Sequence, residues 1–285
     1  MFDVAPKGIN HMSFFRTASV RALQSALVSS VCLASSAFAQ DLRGTPAPVF
    51  LTSEDAHWGY SQTVSPERWG ELPGNAICAA GLDQSPIALV TSMAERGHHE
   101  APNFNYRTSR VRMTNNGHTV QFTYDAGSTI QVDGNTYHLA QFHFHTPSEH
   151  TKDGVEYPLE VHLVHTDANG TPALVVGVLI KEGFVHPALF TAFRNLPKHA
   201  GEHSQPIGAV INASSLLPLN RAFFKYAGSL TTPPCTEGLQ WYVMKNPIEM
   251  SDSQIASFQR LPYLNPNNRP LQPLNGRVVS TKHGF

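Results

Sequence analysis

Three histidines in this chain have the spacing of metal ligands. Gln141, His143 and His145 alternate with Phe142 and Phe144, and further along Glu160, His162 and Val164 alternate with Val161 and Leu163. Successive side chains of a strand point to opposite faces, so each set of alternate residues shares one face. If the two strands pair, three imidazoles converge from one side of a sheet. Three neutral nitrogen donors with a fourth position left open form a catalytic rather than a structural zinc set, one that activates water for attack. A metal-bound imidazole donates its other ring N–H to an acceptor that fixes its tautomer. Gln141 and Glu160, each two residues from a ligand and on the same face, are placed for that. His143 and His145 alone would be weak evidence among 15 histidines. Glu160 and His162 on a neighbouring strand make the pattern specific.

The elements that must position these residues are mostly strands. Arg110–Asn115 and His118–Tyr124 flank Asn116-Gly117, a strong tight-hairpin signal. Thr129–Val132 and Thr136–Thr146 flank Asp133-Gly134-Asn135, and Leu159–Thr166 and Ala173–Ile180 flank a turn at 167–170. Arg221–Ser229 and Leu239–Val243 bracket a loop holding Thr231, Thr232, Pro233 and Pro234. Helices are few and short. Pro187–Leu196 is one candidate, and Ser251–Leu261 is another, opened by the capping box of Ser251 and Gln254. Hairpin linkage predicts a large twisted, mostly antiparallel central sheet with short peripheral helices: a mainly β member of the α+β class in a single domain.

The 285 residues are 41% hydrophobic, enough for one substantial core. Charged residues make up only 14%, with a formal net charge of -1 and no long basic run, which argues against nucleic-acid binding. Residues 1–39 read as a signal peptide. Lys7, Arg16 and Arg21 precede the uncharged stretch 22–34, and Ala37-Phe38-Ala39 supplies a cleavage site. The stretch is too short to span a bilayer, and the residues before Cys32 lack a lipoprotein signature, so no membrane anchor is expected. Either Met1 or Met12 serves as a start. Residues 40–52 form an N-terminal arm, and 53–285 one domain. Removing residues 1–40 takes away three of 20 basic and one of 21 acidic residues, moving the formal charge from -1 to -3. It also removes Cys32, leaving Cys78 and Cys235 as either a bonded pair or two buried thiols.

Gln141 to His145, then Ser148-Glu149-His150, then Glu160 to His165 resemble the central signature of alpha carbonic anhydrases. Further pieces match in the family's order: His57-Trp58-Gly59-Tyr60, Gln84-Ser85-Pro86-Ile87, Asn116-Gly117-His118, Gly228 to Pro234, and Asn268-Arg269-Pro270. The resemblance covers roughly residues 56–280. An open three-histidine zinc site is itself the arrangement known from carbonic anhydrase.

The resemblance implies a carbonate dehydratase in which hydroxide on Zn2+ attacks carbon dioxide to give bicarbonate and a proton. His143, His145 and His162 resemble the zinc ligands. Thr231 resembles the residue that orients the hydroxide and donates its own proton to Glu149, and His118 the proton shuttle. Val164, Val175, Leu230 and Trp241 resemble the apolar substrate pocket, with Thr232 at its polar margin. Tyr60, Gln121, Gln141 and Thr232 resemble the groups facing the water-filled side, although Gln121 stands where several members carry Asn. Cys78 and Cys235 resemble the disulfide of secreted members, Ser85-Pro86 and Pro233-Pro234 resemble cis bonds, and a periplasmic or secreted location follows. Carbon dioxide and bicarbonate are the only partners implied besides a homodimer of the kind found among bacterial members. Two other readings remain: a zinc or ligand-binding module without catalysis, which would be expected to lack a ligand histidine, and ester hydrolysis as a side activity.

Overall fold

The β-branched and aromatic runs that predict strands form strands in the computed structural model, which describes residues 58–97 and 100–282. The leader, the arm and His57 lie outside the described residues. Eight strands matter for the site: β1 (Met113–Asn115), β2 (Val120–Thr123), β3 (Thr129–Val132), β4 (Asn135–His145), β5 (Leu159–Thr166), β6 (Pro172–Glu182), β7 (Phe223–Ser229) and β8 (Glu237–Met244). They belong to one sheet of 13 strands among the described residues, whose central order is β1-β2-β4-β5-β6-β8-β7. Most neighbours are antiparallel, as hairpin linkage requires. β6 and β8 instead run parallel, with Val175 opposite Trp241. Parallel neighbours need a long crossover, and here β6 and β8 are separated by residues 183–236.

Two sequence expectations need correction. Arg110–Asn115 is not one strand. Thr108–Arg110 pairs with Val210–Asn212 in a separate two-stranded sheet, whereas β1 pairs with β2. Asp125 holds the bend between them, accepting from the Arg110 backbone N–H at 3.0 Å and the Arg112 guanidinium at 2.5 Å. Pro187–Leu196 is not a continuous helix but a 3-10 turn, Pro187–Leu189, followed by one helical turn, Phe190–Phe193. Pro197 disfavours helical backbone at Leu196, so a helix could not run comfortably to that residue. Helix α1 (Asp252–Gln259) carries the expected capping box, with both reciprocal bonds formed.

Alternation sorts the central strands. Phe142, Phe144, Val161 and Leu163 are fully buried in the larger core, beside Phe122 and Leu174. The opposite face carries the histidines and a second apolar cluster containing Val164, Val175 and Trp241.

His165 falls after a register shift between Val164 and His165. It is fully buried and bonds the Tyr106 hydroxyl through Nε2 at 2.8 Å. It therefore stands apart from the metal-type cluster. Burial pushes its pKa down to about 3. The unfolded chain binds a proton at His165 near pH 6.5, whereas the folded chain resists one until about pH 3. Stability from this group is therefore complete above about pH 6.5 and lost as pH falls, by about 1.4 kcal/mol per unit. His165→Gln should flatten that slope in denaturant titrations between pH 6.5 and 4.5. An unchanged slope would remove His165 as its cause.

Cys78 and Cys235 form a disulfide across 157 residues, with Cα atoms 5.1 Å apart. The bond lies among Trp69 and Leu72 and ties the N-terminal segment to the loop that follows β7. Loop-closure entropy for that span gives about 5 kcal/mol as an upper figure, and removal of a native disulfide commonly costs about 2–5 kcal/mol. Reduction should lower the unfolding midpoint accordingly, and denatured, unreduced protein lacking residues 1–40 should show no free thiol. Two free thiols would refute the pairing.

Candidate metal centre

Strand register brings the three histidines together. On β4 and β5, His143 lies opposite His162 and His145 opposite Glu160. The ring centroids of His143 and His145 are 5.0 Å apart, and those of His145 and His162 are 4.6 Å apart. One nitrogen from each of His143, His145 and His162 lies within 4.8 Å of the others.

The other ring nitrogen of each is occupied. His143 Nδ1 bonds Gln141 Oε1 at 2.8 Å, and His162 Nε2 bonds Glu160 Oε1 at 2.9 Å. Gln141 and Glu160 are the two acceptors to which the sequence pattern pointed. That pattern missed the third: His145 Nδ1 donates to the Asn267 backbone carbonyl at 2.7 Å. Asn267 is fully buried and also donates through Nδ2 to the carbonyls of His118, at 2.9 Å, and Phe144, at 3.1 Å. The adjoining Asn268-Arg269-Pro270 motif was the available signal, since Arg269 N–H donates to Glu149 Oε1 at 2.9 Å.

Glu160 is held from several sides. Its Oε1 also accepts from His150 Nδ1 at 2.7 Å, and its Oε2 accepts the backbone N–H of Glu149 and His150. His150 then meets the Tyr226 hydroxyl at 2.7 Å. Burial disfavours the Glu160 carboxylate, but His150 and His162 outweigh it and hold its pKa well below the usual range. Burial, then His145 and His162, push His143 well down. Burial also pushes His145 down. For His162 burial acts downward, but Glu160 overcomes it and raises the pKa. A metal competes with protons for the remaining His162 nitrogen, so loading is favoured by higher pH.

Zinc fits this donor set. With Nδ1, Nδ1 and Nε2 committed, the atoms left are His143 Nε2, His145 Nε2 and His162 Nδ1. His145 Nε2 is buried with no hydrogen-bond partner, a costly condition for a polar atom unless something binds it. Three imidazole nitrogens without a fourth protein donor match an open zinc site.

A cavity of about 120 Å³ opens over the cluster, lined by His143, His145, Gln141, Gln121, Tyr60, Thr232 and His118 among others. Gln121 lies opposite His143 on β2. Burial, with Glu149 contributing, raises the Tyr60 pKa well above the usual value, and its hydroxyl has no hydrogen-bond partner. His118 is half-buried, its ring stacked on Trp58 at 3.6 Å and 11°. On the apolar side, Val164 faces Val175, Val175 faces Trp241, and Leu230 lies against the same cluster. The Trp241 ring sits 4.8 Å from that of His162. Thr231 and Glu149 are both buried. Glu149 Oε2 makes no hydrogen bond, so the bond expected from the Thr231 hydroxyl is not formed at that atom.

Both expected cis bonds are present, with two more at Thr146-Pro147 and Asn265-Pro266.

Comparison with known proteins agrees with this geometry. The family described as eukaryotic-type carbonic anhydrase matches residues 64–283. A carbonic anhydrase of Neisseria gonorrhoeae is 42% identical over 78% of this chain and 87% of its own. One from Pectobacterium atrosepticum is 37% identical over 80% of this chain and 91% of its own. Among solved structures, the alpha carbonic anhydrase of Thermovibrio ammonificans superimposes with a TM-score of 0.75 at 42% identity, covering 79% of this chain and 98% of that one.

Proposed function

The chain belongs to the eukaryotic-type, or alpha, carbonic anhydrase family, and on that premise we propose that it hydrates carbon dioxide at a zinc ion held by His143, His145 and His162. Its activity is that of a carbonate dehydratase, interconverting carbon dioxide and bicarbonate. When bound, zinc supplies the Lewis acidity that makes water reactive at neutral pH, an effect established for carbonic anhydrases.

The chain's own residues do the rest. Three neutral donors leave the metal its full charge, which anionic ligands would dilute. Gln141, Glu160 and the Asn267 carbonyl hold the rings in the required tautomer. Thr231 would donate its hydroxyl proton to Glu149 Oε2, a bond not formed in this structure, and so leave its own oxygen to accept from the attacking water and aim it. Val164, Val175, Leu230 and Trp241 receive the carbon dioxide without a polar group to hold it. Such loose binding places the carbon and lets bicarbonate leave. Tyr60, Gln121 and Thr232 order water on the other side, and the His118 ring takes up the released proton.

Residues 1–39 are read as a cleaved leader, 40–52 as an arm, and the enzyme as periplasmic or secreted. The Cys78–Cys235 disulfide supports an oxidising compartment.

The observation that carries this reading is the division of labour on three rings, each with one nitrogen bonded and one turned to a shared point. Stopped-flow carbon dioxide hydration should be fast, vanish after chelation and return with zinc. Activity indifferent to chelation, or none with zinc present, would overturn it.

A further inference from the structure

We propose that a groove outside the catalytic cavity binds an amphiphilic carboxylate, a single anionic head on an alkyl tail. The groove measures about 670 Å³ and lies between the Phe190–Phe193 turn and helix α1. That volume falls within the range of small-molecule sites. It shares no lining residue with the cavity over the three histidines, although a second groove, which takes in Lys198, His199 and Pro262 at one end and Trp58, Tyr60 and His118 at the other, lies between the two.

Its floor is apolar. Phe193, Leu196 and Leu261 are buried beneath it, while Phe190 is 46% exposed and Val185 50% exposed at its edge. Its rim is cationic. Arg194, Lys198 and Arg260 are exposed and line it, and no Asp or Glu does. None of the three belongs to an ion pair among the described residues. The Arg194 guanidinium lies 5.4 Å over the Phe190 ring, poised where apolar wall meets rim. Glu202 accepts the Lys198 and His199 backbone N–H groups at 2.8 and 3.1 Å and also acts electrostatically on the Lys198 charge, which it partly offsets. Asp252 is exposed on the first turn of α1, outside the lining.

Three cationic side chains line this one groove, with Lys198 alone partly offset by Glu202, and disfavour one another. An anion relieves that repulsion, and a carboxylate suits the two-donor fork of arginine. The apolar floor adds the demand for a tail. Neither an inorganic anion nor a neutral hydrocarbon satisfies both halves.

The probe is decanoate, titrated calorimetrically into the zinc-loaded enzyme below the concentration at which it self-associates. A saturable single site is expected, with a Kd on the order of 1 mM or tighter for a ligand of this size. Hydration activity should persist at saturation. The double variant Arg194→Glu/Arg260→Glu alters only exposed positions, so it should fold and keep its activity, yet bind decanoate at least about tenfold more weakly. Acetate, which has the head without the tail, should not compete. The inference is overturned by absence of saturable binding, by equal affinity in the double variant, or by hydration activity falling in step with occupancy, which would put the carboxylate in the catalytic cavity. Capture by anionic vesicles that the double variant loses, without saturable decanoate binding, would overturn it in favour of a lipid surface.

Discussion

His162→Ala should leave a folded protein that neither retains zinc nor hydrates carbon dioxide above background. Strand β5 is central, and the substitution removes one of three donors at its middle, where His162 lies opposite His143. Loss of an acceptor beside a metal ligand already costs about 10–100-fold in affinity or activity. Loss of a donor itself costs more, because the ion then has two protein contacts. Bulk water has a pKa near ~15.7, against about 7 for the water of carbonic anhydrase, so hydration should drop by at least about 10³-fold. The variant also frees Glu160 from one partner, although His150 still holds the carboxylate at 2.7 Å. Retained far-ultraviolet circular dichroism would separate metal loss from unfolding. Near-native zinc affinity in a folded His162→Ala protein would mean that the ligands are assigned wrongly.

His118→Ala should lower kcat strongly and leave kcat/KM for carbon dioxide nearly intact. A group of pKa ~7 that releases its proton to water, with recombination near a ceiling of about 10¹⁰ M⁻¹s⁻¹, turns over no faster than about 10³ s⁻¹. Turnover near the ~10⁶ s⁻¹ established for carbonic anhydrase therefore needs a relay to buffer. An imidazole with an ordinary pKa near ~6.5 is matched to that task. His118 lines the same cavity as His143 and His145, and stacking on Trp58 restricts its ring. The fall in kcat should be largest at low buffer concentration, and added imidazole should restore part of it. Parallel loss of kcat and kcat/KM, or no rescue, would give His118 another role.

The parts of the site legible in the sequence are those set by short-range rules. Strand alternation places Gln141 with His143 and Glu160 with His162, because each acceptor sits two residues from its ligand on the same face. The cap at Ser251 is likewise local and forms as expected, whereas the hairpin signalled by Asn116-Gly117 forms with a longer connection, residues 116–119, so that His118 lies in the turn rather than on the strand. Contacts that cross the chain were not legible. Asn267 reaches His145 from 122 residues away through a backbone carbonyl, an atom every residue type possesses. The stack of Trp58 on His118 joins two segments that only the tertiary fold brings together. His150 was visible as part of a motif, but its bonds to Glu160 on β5 and Tyr226 on β7 depend on the order of the sheet, in which β6 and β8 lie between those two strands. The parallel pairing of β6 with β8 escaped a reading based on hairpins, because β7 intervenes in sequence but lies outside β8 in the sheet.

Zinc is expected on the three imidazoles of His143, His145 and His162 and nowhere else. A second cluster, His150, Glu160 and His162, also brings three ligand-type atoms within 4.8 Å of one another. In that cluster, however, His150 and His162 already donate to Glu160. An anomalous difference map recorded at the zinc edge from crystals of the zinc-loaded enzyme distinguishes the two directly. One strong peak per chain is expected, about 2.0–2.1 Å from His143 Nε2, His145 Nε2 and His162 Nδ1. No peak there, or a peak at His150 and Glu160 instead, would contradict it.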